Sequence, residues 1–160
     1  MSEDTRGAQL AQDVADEFIS ERQGLDYVTG RYVKQRLNEV FGWDGWSYTI
    51  DSFEHACPEN NGRAKCALSL VVFTDRGLVR RAGVAQGYGN LVDREGNAVS
   101  VDRANQVLDF ADAEAVTDAL KRAAVSLGQN LGLSLYPMTP GGARKKRAAG
   151  GGARRKVKRS

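Results

Sequence analysis

Apolar residues in the first fifty positions follow a helical rhythm. Leu10, Val14, Phe18 and Ile19 recur at helical spacing and predict a short amphipathic helix over residues 8–20. The run Arg22-Gln-Gly-Leu-Asp26 breaks it. Val33, Leu37, Val40 and Phe41 then form one buried stripe of a second helix over residues 30–41, with Arg31, Lys34 and Asn38 off the stripe. Thr29 or Asp26 can cap its start, and Gly42 stops it because glycine tolerates a left-handed cap. Asp44-Gly45 reads as a tight turn.

The rhythm next changes to that of strands, over residues 47–53, 64–74 and 78–86. In the second run Cys66, Ala67, Leu68, Leu70, Val71, Val72 and Phe73 occupy both faces, which predicts a strand covered on both sides. Asp75-Arg-Gly77 is a turn, so the three strands form an antiparallel meander, and Gly87-Tyr-Gly89 ends it. Residues 90–107 read as a loop with a turn at Asp93-Arg-Glu-Gly96. A long helix is expected over 110–130, capped by Asp109, with Asp112 and Glu114 in the first turns where the helix dipole favours them. Phe110, Ala113, Thr117, Leu120, Ala124, Leu127 and Leu131 would be its core stripe, and Gly132 its stop. The fold class is α+β: a β-β-β-α core, with a three-stranded meander packed on a long helix and two helices before it.

Charge divides the chain. The last twenty residues carry nine cations, among them Arg144, Lys145, Lys146 and Arg147. Residues 1–140 hold the other fourteen cations against all 20 acidic residues, a net of −6. A Gly/Ala/Lys/Arg tail has nothing large to bury, so residues 138–160 are expected to be disordered beside a folded body over 1–137. Such a tail suits a polyanion, bound through phosphate neutralisation without sequence specificity.

Enzyme signatures are missing. The sequence holds no Gly-x-x-x-x-Gly-Lys-Ser/Thr loop, and Gly83-Val-Ala-Gln-Gly-Tyr-Gly89 does not open a helix after a strand. Asp51 and Glu54 lack the acid-x-Lys partner of a metal nuclease. His55 is the sole histidine, and with Cys57 and Cys66 it falls short of the usual four zinc ligands. The chain is expected to be cytoplasmic and to use no cofactor. No apolar run approaches a membrane span.

Lys121 and Arg122 stand together on an otherwise small-residue helix. They are either a solvated face, with Asp118 and Arg122 paired at i,i+4, or phosphate ligands. Trp43 and Trp46 could stack on bases or anchor the helix-to-strand corner; bordering a strand, Trp46 suits the corner.

Several segments occur in the order seen in one family. They are Phe18-Ile-Ser20, Tyr27-Val-Thr-Gly30, Asn38-Glu-Val-Phe-Gly-Trp-Asp-Gly-Trp46, Gly87-Tyr-Gly89 and Glu114-Ala-Val-Thr-Asp-Ala-Leu-Lys-Arg-Ala123. Over roughly residues 15–135 the chain resembles the Rad fifty-two family of single-strand annealing proteins, in a bacterial or phage branch. The resemblance implies a homo-oligomeric ring or spiral that holds single-stranded DNA by its backbone, bases outward, without consuming ATP. It places Lys121 and Arg122 in the DNA groove, and other recombination proteins as partners. The chain departs from eukaryotic members at Val125, Asp102 and Asp109, where those carry basic residues. At Tyr32 a groove arginine is expected, so Arg31 or Lys34 would substitute. With Arg80 and Arg81 on the third strand and the tail cations, these complete the candidate DNA-binding set. Alternatives are a DNA-end-protecting binder that does not anneal, a small metal-dependent nuclease using Asp51 or Glu54, and a basic-tailed structural protein.

Overall fold

The computed structural model of the chain describes residues 3–22 and 25–135. Helix α2 (Gly30–Phe41) follows its sequence signals closely. The Thr29 hydroxyl accepts from the Tyr32 amide at 3.2 Å, and Gly42 ends the helix at φ 85°. Val33, Leu37, Val40 and Phe41 are all buried.

Strands β3 (Trp46–Glu54), β4 (Arg63–Thr74) and β5 (Gly77–Tyr88) form the expected antiparallel meander in the order β3-β4-β5. A register shift between Ile50 and Ser52 leaves Asp51 as the extra residue of a bulge. Ala64, Cys66, Leu68, Leu70 and Val72 of β4 are buried toward the helices. The expectation that β4 is covered on both sides is corrected. Its other face continues across Phe73, Leu78, Val84 and Tyr88, all exposed, with no helix laid over it among the described residues.

Two further elements differ from expectation. The helix over 8–20 is replaced by α1 (Glu3–Ala11), a 3₁₀ turn at Asp16–Phe18 and a hairpin of β1 (Ser20–Arg22) and β2 (Leu25–Tyr27). Tertiary contacts override the local rhythm there: Val14 is buried, its amide donates to Ser134 Oγ at 3.3 Å, and Phe18 lies 5.0 Å from the Tyr32 ring. The last helix, α3 (Val101–Val125), begins well before Asp109 and is capped by Ser100. Its buried stripe is Ala111, Ala115, Ala119, Leu120, Ala123 and Ala124, while Phe110 is 68% exposed and Ala113 also faces out.

The alanine stripe has a counterpart. Strand alternation puts Gly83, Ala85 and Gly87 on the β5 face that meets α3. A Cβ at Gly83 would stand 1.9 Å from the Ala119 carbonyl oxygen, and one at Gly87 would stand 1.8 Å from that of Ala111. Backbone therefore lies on backbone, and no rotamer change can relieve an added atom. Gly87→Ala is expected to cost at least about 1–3 kcal/mol of stability, the usual range for overpacking. Gly7→Ala, on α1 with open space around it, should instead stabilise by up to about 1 kcal/mol. Thermal or urea unfolding of the two variants against the parent measures both shifts.

Candidate nucleic-acid interface

Adjacent residues on a helix point about 100° apart, so Lys121 and Arg122 leave α3 in different directions. Lys121 turns toward the β1–β2 hairpin. Its Nζ sits 2.5 Å from Asp118 Oδ1 and 5.8 Å from the Tyr27 ring centroid. Arg122 turns toward the open edge of β5, where its Nη1 donates to the Val84 carbonyl at 3.1 Å. The expected Asp118–Arg122 pair is thus replaced by Asp118–Lys121, because the guanidinium reaches an unpaired edge carbonyl instead. Arg122, Val84, Gln86 and Tyr88 line a small edge pocket of about 200 Å³. The Lys121 and Asp118 side chains keep partial contact with solvent, 22% and 34% exposed, and such a pair is worth about 1 kcal/mol or less. It orients the ammonium without holding it against a competing anion.

A second, larger feature lies along α2. Gly30, at the helix start, packs so closely on α3 that an added Cβ would stand 2.2 Å from Thr117 Cγ2. Between the helices runs a groove of about 770 Å³, bordered by Arg31, Lys34, Gln35, Glu39, Trp43 and Thr117. Arg31 and Lys34 are exposed, and neither has an ion-pair partner among the described residues. Glu39 lines the same groove but is already engaged: Gln35 Nε2 donates to it at 2.8 Å and Arg36 Nη1 pairs with its other oxygen. These two partners, Gln35 first, hold its carboxyl below the usual range. Thr117 stands one turn before Lys121 on the same helix face, so the groove leads toward that lysine.

The two tryptophans part company at the end of α2. Trp46 is half-buried and donates Nε1 to Asn38 Oδ1 at 2.7 Å, which fulfils the corner role expected of it. Trp43 is 87% exposed at the groove's end. The turn between them admits no alternative: a Cβ at Gly45 would lie 1.8 Å from the Phe41 carbonyl oxygen, and the Gly45 carbonyl accepts from the Phe73 amide at 2.9 Å.

Arg80 and Arg81 do not join these groups. They alternate onto opposite faces of β5, and Arg80 lies on the face away from α3. There its Nη2 stands 3.4 Å from Asp51 Oδ1, while Ser69 Oγ donates to Asp51 Oδ2 at 2.6 Å. Arg81 Nη1 donates to the Arg80 carbonyl at 3.0 Å. Arg144, Lys145, Lys146 and Arg147 lie outside the described residues. The carboxylates weighed for a nuclease are committed elsewhere: Asp51 to Ser69 and Arg80, and Glu54 to Lys65 at 2.8 Å. Among the described residues no group of three His, Cys, Asp or Glu is placed to hold a metal ion, and no helix is long and apolar enough to cross a membrane.

Sequence reasoning did not anticipate the buried hub that hangs α2 in place. Tyr32 donates its hydroxyl to the Asn130 carbonyl at 3.0 Å, and Arg36 Nε pairs with the Asn130 side chain at 2.5 Å. Nor did it find the His55–Asp112 contact of 2.7 Å, which ties the end of β3 to α3. Neither pair shares a motif that spacing could reveal.

The family model described as Rad52/22 family double-strand break repair protein matches residues 4–148. The chain is 31% identical over 140 residues to the DNA repair and recombination protein radC of Emericella nidulans, covering 81% of this chain and 22% of that protein. To rad22 of Schizosaccharomyces pombe, also named a DNA repair and recombination protein, it is 30% identical over 137 residues, covering 79% and 27%. The corresponding match to RAD52 of Saccharomyces cerevisiae is 30% over 143 residues, covering 84% and 28%. The chain spans about a quarter of the length of these relatives.

Because the Glu39 carboxylate is stabilised by its neighbours, its protonation midpoint should lie below that of an ordinary glutamate. Whatever stability this contributes is present above the unfolded-state value and is lost as pH falls through the folded one. Gln35→Ala removes the leading cause. In an NMR pH titration the Glu39 side-chain signal should then move its midpoint upward.

Proposed function

The chain belongs to the Rad52/22 family of double-strand break repair proteins, and we propose that it binds single-stranded DNA and anneals complementary strands without ATP. Family membership across nearly the whole body is the observation that carries this reading. Annealing is limited by repulsion between two backbones. A surface that neutralises phosphates and leaves base edges free lowers that barrier and needs no bond chemistry. Lys121 and Arg122 are the leading phosphate ligands in this proposal, and Arg31 and Lys34 extend the track along the groove. Arg81 and the tail cations Arg144, Lys145, Lys146 and Arg147 supply further attraction to a body of net charge −6. Arg80, already beside Asp51, contributes less.

The annealing domain is proposed to be residues 1–137, followed by a basic tail over 138–160. The active form would be a homo-oligomeric ring or spiral working with other recombination proteins in the cytoplasm, nucleoid-associated or in a phage-infected host. The uncovered sheet face with Phe73, Leu78, Val84 and Tyr88 supports assembly, since apolar surface of this kind is ordinarily buried by a partner. The relatives named above are fungal. Assignment to a bacterial or phage branch is part of the proposal.

Tail-truncated protein should bind single-stranded oligonucleotides and speed the pairing of complementary ones in a fluorescence assay without nucleotide. Lys121→Ala with Arg122→Ala should abolish binding by the tail-less body while leaving its unfolding transition in place. Single replacements should reduce the salt slope of binding by about 0.7 for each phosphate no longer neutralised. Undiminished binding by the tail-less double variant would contradict the assignment. Binding without annealing would favour an end-protecting role.

A further inference from the structure

We propose that Trp43 is a base-stacking residue, and that the groove along α2 holds a single strand with one nucleobase laid on its indole and the flanking phosphates on Arg31 and Lys34. The inference rests on the single-strand-binding reading above and names a contact that reading leaves open.

Three observations carry it. The first is exposure. An indole 87% open to solvent is unusual for a residue that is highly buried on average, whereas its neighbour Trp46 is drawn in and hydrogen-bonded to Asn38. Trp43 sits on the Gly42–Gly45 turn, which is closed by the Gly45 amide donating to the Gly42 carbonyl at 3.3 Å. The second is charge. The groove that Trp43 ends presents two cations without ion-pair partners among the described residues, and its carboxylate, Glu39, is occupied by Gln35 and Arg36. The third is length. Helix α2 from Arg31 to Phe41 rises about 15 Å at 1.5 Å per residue, room for a few nucleotides.

Together these features choose their occupant. A polyanion satisfies the cations, but only one with exposed π-faces also covers the indole. Duplex DNA keeps its base faces stacked inside, so the fit is to a single strand. Stacking uses the face of a base and leaves its hydrogen-bonding edge free. Trp43 can thus hold a base in an orientation still open to a complementary strand, which electrostatic binding alone would not enforce.

The test uses the whole 160-residue chain, an oligothymidylate, and an oligonucleotide of equal length made of abasic sites. Trp43→Ala should weaken oligothymidylate binding by about five- to 150-fold, the range for removing one stack. Trp43→Phe should recover most of it. Neither should change affinity for the abasic oligonucleotide, the salt slope or the unfolding midpoint. Tryptophan emission of the parent should be quenched by oligothymidylate and far less by the abasic strand, and the quenching should vanish in Trp43→Phe. Equal affinity of Trp43→Ala and parent for oligothymidylate, with the parent still annealing, would overturn this inference and spare the functional reading. Failure of the parent to bind either strand would overturn that reading too. Emission that responds to protein dilution and not to DNA would assign Trp43 to contact with a second copy, and would also overturn the inference.

Discussion

Helix α3 can lie on the sheet only because both surfaces at the contact are nearly bare backbone. Gly83 and Gly87 on β5 face the carbonyls of Ala119 and Ala111 at distances that leave no room for a methyl group. This close approach fixes the height and rotation of α3 over the edge strand. With the helix so low, side chains on its flank reach the open edge. Glu114 accepts from the Tyr88 amide at 3.2 Å, and Arg122 donates to the Val84 carbonyl. The same rotation aims Lys121 the other way, toward Tyr27 and the start of α2. The divergence of the two adjacent cations is therefore set by packing of the smallest residues in the chain.

A second constraint places α2. Its first residue, Gly30, sits on Thr117 of α3, and its first turns are tied through Tyr32 and Arg36 to Asn130. The groove exists because the helix is pinned there and its outer face carries polar residues only. Charge along this surface is arranged by pairing as much as by composition. Glu39 is matched to Arg36 and Asp118 to Lys121, while Arg31 and Lys34 stay without an ion-pair partner among the described residues, on a body of net negative charge.

The parts of the fold that were legible are those whose burial follows a simple period. Helix α2 and strand β4 bury large apolar residues at the expected spacing, and the turns around the strands carry the glycines that turns require. Helix α3 was misplaced for a physical reason. Its buried stripe is made of alanines, which hardly register as hydrophobic, while the bulky Phe110 is exposed. Its first turns, beyond the closest contact with the sheet, have no fully buried residue to mark a period. The region after Ala11 failed in the opposite sense. Val14, Phe18 and Ile19 have helical spacing, yet the contacts of Val14 to Ser134 and of Phe18 to Tyr32 are non-local. In the interface, Lys121 and Arg122 were visible through the family motif. Their divergent directions were not, and neither was the outward throw of Trp43, because both depend on close contacts between elements distant in sequence or on a turn's particular path.

The proposed interface requires a single strand to follow the α2–α3 side of the molecule, touching Lys121 and the groove cations. A structure of the protein bound to oligothymidylate decides the matter. Phosphates are expected within ion-pairing distance of Lys121 and of Arg31 or Lys34, with base edges facing solvent. A strand lying across the uncovered sheet face, over Phe73 and Leu78 and remote from Lys121, Arg122 and α2, would show the interface to be misassigned.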